Sequence, residues 1–211
     1  NVNYSAGQVV PNAVLAKDLS QELGLGPAEL GFMTSLFYLA FAAAQLPLGG
    51  LLDRVGPRAV TPALLLVAAL GSVVFGLAQS FAVLALGRAL IGVGMAAALM
   101  GSMRAFSLWF PRNYATVSTL LVGLGATGGL MAATPLALLK EALGWRGVVL
   151  LGAFVVALVA LALDLGGRNT PPGVAWPGGQ RGNGLGEVFR NGRLLRVAFL
   201  AFAFAGRFLA L

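Results

Sequence analysis

Two arginines lie inside apolar runs, where a charge is expensive. Arg88 is about six residues into the run 82–103, and Arg207 about twelve into the run 195–211. A guanidinium stays protonated at any physiological pH and presents a planar fork of donors that suits a carboxylate or a phosphate. Placing one at depth costs at least about 2–3 kcal/mol, so it must face a bundle interior or water. Arg207 sits about 18 Å into its run, too far to snorkel comfortably, and is expected to line a cavity. There it would meet a solute or counter-ion, or else close an internal salt bridge. Arg88 is only about 9 Å in, so snorkelling to the interface competes with an interior role. Neutral polar side chains join these charges. Asn1, Tyr4, Gln8 and Asn12 recur at helical spacing, and Thr34, Tyr38 and Gln45 share a face of a second run. In lipid such stripes turn inward, to line a cavity or to hydrogen-bond between helices. The candidate solute-binding set is therefore Asn1, Tyr4, Gln8, Tyr38, Arg88 and Arg207.

Chemistry of other kinds has little to work with. The chain has no histidine and no cysteine, and its seven acidic residues do not cluster. General acid–base catalysis and metal binding lack their usual groups, so no catalytic residue, metal or cofactor is expected. No carboxylate lies at mid-depth in any apolar run. Asp164 falls near one end of its run, while Asp18, Glu22, Glu29 and Glu141 fall in or beside loops. A buried guanidinium without a buried acid points to an anionic solute.

The elements that must position these residues are membrane helices. Of the 211 residues 58% are hydrophobic and 10% charged. Soluble domains carry about 25% charged residues, so the composition is that of an integral membrane protein. Thirty glycines suit helices that approach closely in lipid, and the absence of period-two alternation argues against a β-barrel. The sequence predicts a partial helix over 1–16, then helices near 30–52, 59–79, 82–103, 115–139 and 147–166. The last apolar run is 195–211. Residues 167–194, rich in Gly, Pro, Asn and Arg, read as a polar loop with a short interfacial helix near 185–191. The chain reads as beginning part-way into its first helix. In the 115–139 run, Gly125 and Gly129 form a GxxxG pair that predicts close packing on a neighbour.

The net charge of +7 does not indicate nucleic acid, because the basic residues sit at helix ends rather than on one soluble face. They do set an orientation. Arg54, Arg58, Arg104, Arg112, Arg168, Arg181, Arg190, Arg193 and Arg196 fall on one side, and only Lys17, Lys140 and Arg146 on the other. Nine against three puts the 53–58 and 167–194 loops in the cytoplasm.

Between the runs 30–52 and 59–79 lies a charged hairpin, Gly49-x-x-x-Asp53-Arg54-x-Gly56-x-Arg58. Gly49 would permit close helix approach and Gly56 a tight turn. Asp53 could accept hydrogen bonds from a neighbouring helix N-terminus. Arg104, at the same end of its run, is a candidate partner for Asp53. This pattern resembles the loop between helices 2 and 3 of the major facilitator superfamily of secondary transporters. Pro57 stands where a basic or small residue is more usual. Arg88-x-x-x-Gly92-x-Gly94 resembles a second pattern of the same family, and an arginine deep in helix 7 resembles that of its organic-anion carriers. The family's antiporter pattern is not met, since Pro135 follows Thr134 instead of a glycine in the glycine run.

The resemblance covers nearly the whole chain. It implies an all-α membrane protein: residues 1–166 form the N-terminal six-helix bundle of a twelve-helix transporter, 167–194 the cytoplasmic central loop, and 195–211 the start of helix 7. It implies that Gly49, Asp53, Arg54, Gly56, Arg58 and Arg104 form a cytoplasmic gate that clamps the two halves together. The implied activity is secondary active transport of a small organic anion by alternating access, in the bacterial inner membrane. The implied partners are that solute, the lipid bilayer and the absent C-terminal six-helix half. The alternative is a sensor or assembly factor that keeps the fold without transporting.

Overall fold

The computed structural model describes residue 20 and residues 22–171. Within them four helices follow one another: α1 (Pro27–Val55), α2 (Pro57–Gly76), α3 (Phe81–Trp109) and α4 (Tyr114–Gly166). No strand occurs among the described residues. The helix at 1–16, the short helix near 185–191 and the run 195–211 lie outside them.

Proline opens α1 and α2, where its missing N–H costs nothing and its φ is already helical. At the start of α1 the Glu29 carboxylate accepts the Gly26 N–H at 2.7 Å. The helices extend further than expected. α1 runs through Asp53 and Arg54 to Val55, so the charged hairpin is not a loop: Gly56 alone separates α1 from α2, at φ 96° and ψ 158°. A charge in the last turn does not end a helix, and a basic one there complements the helix dipole. α3 likewise passes 103 and takes Arg104 inside its last turns. The expected loop over 140–146 reduces to one residue, Gly144, at φ 69° and ψ 170°.

That break divides α4 into arms 114–143 and 145–166. At about 1.5 Å per residue its 53 residues would reach about 80 Å if unbroken, against a hydrocarbon core of about 30 Å. The second arm runs antiparallel to α2. Val149 and Leu150, in its second turn, meet Gly76 at the end of α2, and Gly167 just past it meets Arg58 at the start. α1, α2, α3 and the segment Pro135–Gly166 are each long and apolar enough to cross a membrane.

α3 packs against both α1 and α2, which touch each other far less than either touches α3. The close approach to α2 rests on a glycine every seven residues. A Cβ at Gly87, Gly94 or Gly101 would strike Phe75, Ala68 or Thr61, also seven apart and in reverse order. Seven residues is almost two turns, so both sets stay on one seam of an antiparallel pair. Gly92, two residues before Gly94, points to the other neighbour and meets Phe37 and Ala40 of α1. Two apolar clusters fill the spaces between helices. At the Gly144 end these are Leu25, Met33, Phe75, Ala78, Leu84 and Trp145; at the Gly56 end, Leu48, Leu52, Val60, Ala96 and Ala97.

The 114–143 arm is largely exposed. Gly123, Gly125 and Gly128 have nothing within 4 Å of a would-be Cβ among the described residues, so the expected glycine packing of Gly125 finds no partner there. Gly49 is equally open, and the close approach expected at that position does not occur among the described residues.

Candidate functional site

The helices alternate in direction, so the ends of α1 and α3 and the starts of α2 and α4 gather at one end of the bundle. Arg54, Arg58, Arg104, Arg112 and Arg168 collect there; the Gly144 end holds Lys140 and Arg146 among the described residues. Asp53 and Arg104 meet directly across α1 and α3, Oδ1 to Nη2 at 3.1 Å. The aspartate side chain is 60% exposed and the arginine 35%. Such a pair stabilises by only about 0.2–1 kcal/mol, weak enough to open and close. The Arg104 Nε and the Thr61 hydroxyl, both buried beside this pair's helices, have no hydrogen-bond partner among the described residues.

Gly56 makes the turn that sets this geometry. Its φ and ψ fall in a region that residues with a side chain rarely enter. Arg54 and Arg58 flank it, both exposed. The start of α2 is capped by an unexpected residue. The Arg58 N–H donates to Oδ1 of Asn169 at 2.9 Å, while Asp53, the expected acceptor at a helix N-terminus, is engaged by Arg104. Of the five hairpin residues and Arg104, therefore, Asp53 and Arg104 are joined, Gly56 shapes the turn, Arg54 and Arg58 line it, and Gly49 stands apart.

The candidate solute contacts do not come together in the same way. Arg88 lies with its guanidinium carbon 4.7 Å from the ring centroid of Phe75, a cation–π contact within the α2–α3 packing. Tyr38 is 46% exposed on α1, edge-on to Phe37 at 5.3 Å. Thr34 spends its hydroxyl on the Leu30 carbonyl of its own helix. Asn1, Tyr4, Gln8, Asn12 and Arg207 lie outside the described residues.

The Gly144 end carries a second polar cluster, which sequence reasoning missed. Glu22 accepts hydrogen bonds from the Trp145 indole at 2.5 Å and from Arg146 at 2.8 and 3.2 Å. Arg146 also donates to the carbonyls of Gly76 and Ala78 at 2.8 and 2.9 Å, closing the C-terminal end of α2. Its guanidinium carbon lies 4.6 Å from the Trp145 ring centroid. The bonds from Arg146 and then from Trp145 hold the Glu22 carboxyl below its ordinary range, against a smaller opposing effect of burial. The only signal in the sequence was a Gly-Trp-Arg triplet and one carboxylate more than a hundred residues apart.

A bundle of long apolar helices, with a charged Gly56 turn bonded to α3, has a match among known proteins. Residues 2–211 match the family described as the Major Facilitator Superfamily. The chain belongs to this superfamily. It is an integral, multi-pass membrane protein. Its curated relatives include a probable sulfoacetate transporter of Cupriavidus necator, 31% identical over 67% of this chain and 33% of that protein. A probable L-galactonate transporter of Escherichia coli is 31% identical over 62% of this chain and 29% of that protein. A nitrate/nitrite transporter of Picosynechococcus is 34% identical over 56% and 22%. The matches thus span a third or less of each of these superfamily members.

Proposed function

We propose that this chain is the N-terminal half, with the start of the second, of a secondary transporter that moves a small organic anion by alternating access. The bundle lies in a bacterial inner membrane with the Gly56 end and the 167–194 loop in the cytoplasm, and it performs no covalent chemistry. The observation that carries the reading is the Asp53–Arg104 pair beside the Gly56 turn, at the basic end of a bundle of this superfamily. A weak, exposed ion pair at a bundle end is a suitable gate contact, because alternating access needs closures that cost little to break. Asp53, Arg54, Gly56, Arg58 and Arg104 form that gate in this reading; Gly49 belongs to it only through a contact with the second half.

The anionic solute is supported by two features. The relatives are named for sulfoacetate, galactonate and nitrate or nitrite. Arg207 supplies a second guanidinium, whose fork suits a carboxylate or sulfonate bidentately. In this reading Arg88, Arg207, Tyr38, Asn1, Tyr4 and Gln8 face the solute. The test is binding of anionic, neutral and cationic small metabolites to purified full-length protein, wild type against Arg207→Lys. Selective binding of anions, weakened in the variant, is the expected result. Selective binding of a cation, or equal binding by the variant, refutes the anion assignment.

A further inference from the structure

The turn between α1 and α2 has one residue, and that residue has no side chain. Helices usually satisfy their first N–H groups with a Ser, Thr, Asp or Asn just before the first turn. Here that position is Gly56, whose backbone excludes those residues, and Pro57 brings no N–H. The first donor left is the Arg58 N–H. Asn169, 111 residues later, accepts it at 2.9 Å.

The seating is close. A Cβ on residue 56 would lie 2.6–2.7 Å from the Oδ1, Cγ and Nδ2 atoms of Asn169. The side-chain amide therefore fills the space that the missing side chain of Gly56 leaves. The approach of the chain is fixed as well. Gly167 closes α4 through its N–H to the Leu163 carbonyl at 2.8 Å, and a Cβ there would strike that same carbonyl and lie 3.5 Å from Cγ of Arg58. The stem of the segment after α4 is thus pressed against the turn by two glycines and one hydrogen bond.

We propose that Asn169 is the positioning residue of the gate: it caps α2 from a distant segment and ties the stem 167–169 to the turn that carries Asp53, Arg54 and Arg58. The assignment of a gate to that turn is the reading given above; the cap itself does not depend on it. Asn169 touches no solute. Its role is to fix the direction in which α2 leaves Gly56, and so the spacing of Asp53 from Arg58 across the turn. A displacement of the 167–169 stem is thereby transmitted to the charged turn through one amide.

The experiment is hydrogen–deuterium exchange of the purified full-length protein, read on peptides covering residues 56–62, for wild type, Asn169→Ala and Asn169→Asp. Aspartate keeps the acceptor and suits the positive end of the helix. Loss of a cap should raise exchange of these amides about fivefold in Asn169→Ala. Asn169→Asp should restore protection, and peptides at the Gly144 end should be unchanged in both. A spin label at Val55 should gain mobility in the alanine variant alone. Unchanged exchange in Asn169→Ala, or an aspartate variant as unprotected as the alanine one, overturns the proposal. If Asn169→Ala uncaps α2 while transport and the Val55 label stay as in wild type, the positioning role is refuted. Failure of the gate reading alone shows differently, as full transport in a charge-neutral Asp53 variant with the cap intact.

Discussion

Gly94→Ala should part α2 from α3, and the cost follows from what the new methyl would meet. A Cβ there falls on Leu64 O and on the nitrogen and Cβ of Ala68, at 2.5 and 2.6 Å for the carbonyl and the methyl. Ordinary contact begins at 3.4 Å, and the obstructing atoms are mostly backbone, which cannot rotate away. The helices must therefore separate by about 1 Å, which forfeits dispersion contacts along the seam. Gly87 and Gly101 hold the same seam seven residues to either side, so neither end can pivot freely. Overpacking of this kind costs about 1–3 kcal/mol, and the backbone obstruction puts Gly94→Ala in the upper part of that range. Gly101→Ala supplies the contrast. Its Cβ meets only the Thr61 side chain, whose hydroxyl has no hydrogen bond to lose and can turn aside. That variant should cost under about 1 kcal/mol and be relieved in the double variant with Thr61→Ala. The assay is equilibrium unfolding of purified full-length protein in mixed detergent micelles, with stability extrapolated linearly. A Gly94→Ala protein within about 0.5 kcal/mol of wild type, or a Gly101→Ala protein less stable than it, refutes the seam.

Other outcomes follow from the two bundle ends. Asp53→Asn removes an exposed pair, so it should leave folding intact and shift the gate equilibrium by about 1.4- to 5-fold, lowering uptake into proteoliposomes; unchanged uptake kinetics would leave the turn without a gating role. Glu22 carries a lowered carboxyl pKa in the folded protein, so its contribution is present above the ordinary carboxylate value and is lost as pH falls through the lowered one. Acidification should loosen the Glu22–Arg146 contact, seen as a change in Trp145 emission in a protein with Trp109 and Trp176 replaced by Phe; Glu22→Gln should abolish the pH response, and a persisting response would assign it elsewhere. Impermeant thiol reagents applied to intact cells should label Glu141→Cys and spare Asn183→Cys, and the opposite pattern would invert the orientation. Gly144, at φ 69°, is a poor site for such a cysteine.

Hydropathy is a local property, so the positions of the long apolar helices were legible from the chain alone. The expected 30–52, 59–79, 82–103 and 147–166 each fall within or beside a helix of the structure, and errors lay at the ends. There Asp53, Arg54, Arg104 and Lys140 looked like loop residues yet continue their helices. The Asp53–Arg104 pairing was anticipated because both residues had to lie at one bundle end. Rotation about each helix axis was not legible. In water a polar face tells a helix which way to turn, but in lipid both faces are apolar and the period is muted. Gly92 and Gly94, two residues and about 200° apart, looked like one pattern and serve two different neighbours. The contacts of Asn169 with Arg58 and of Glu22 with Arg146 and Trp145 span more than a hundred residues. No spacing in the sequence encodes them. They exist because glycine seams let the helices approach until distant ends meet, and only the packed bundle fixes which ends those are.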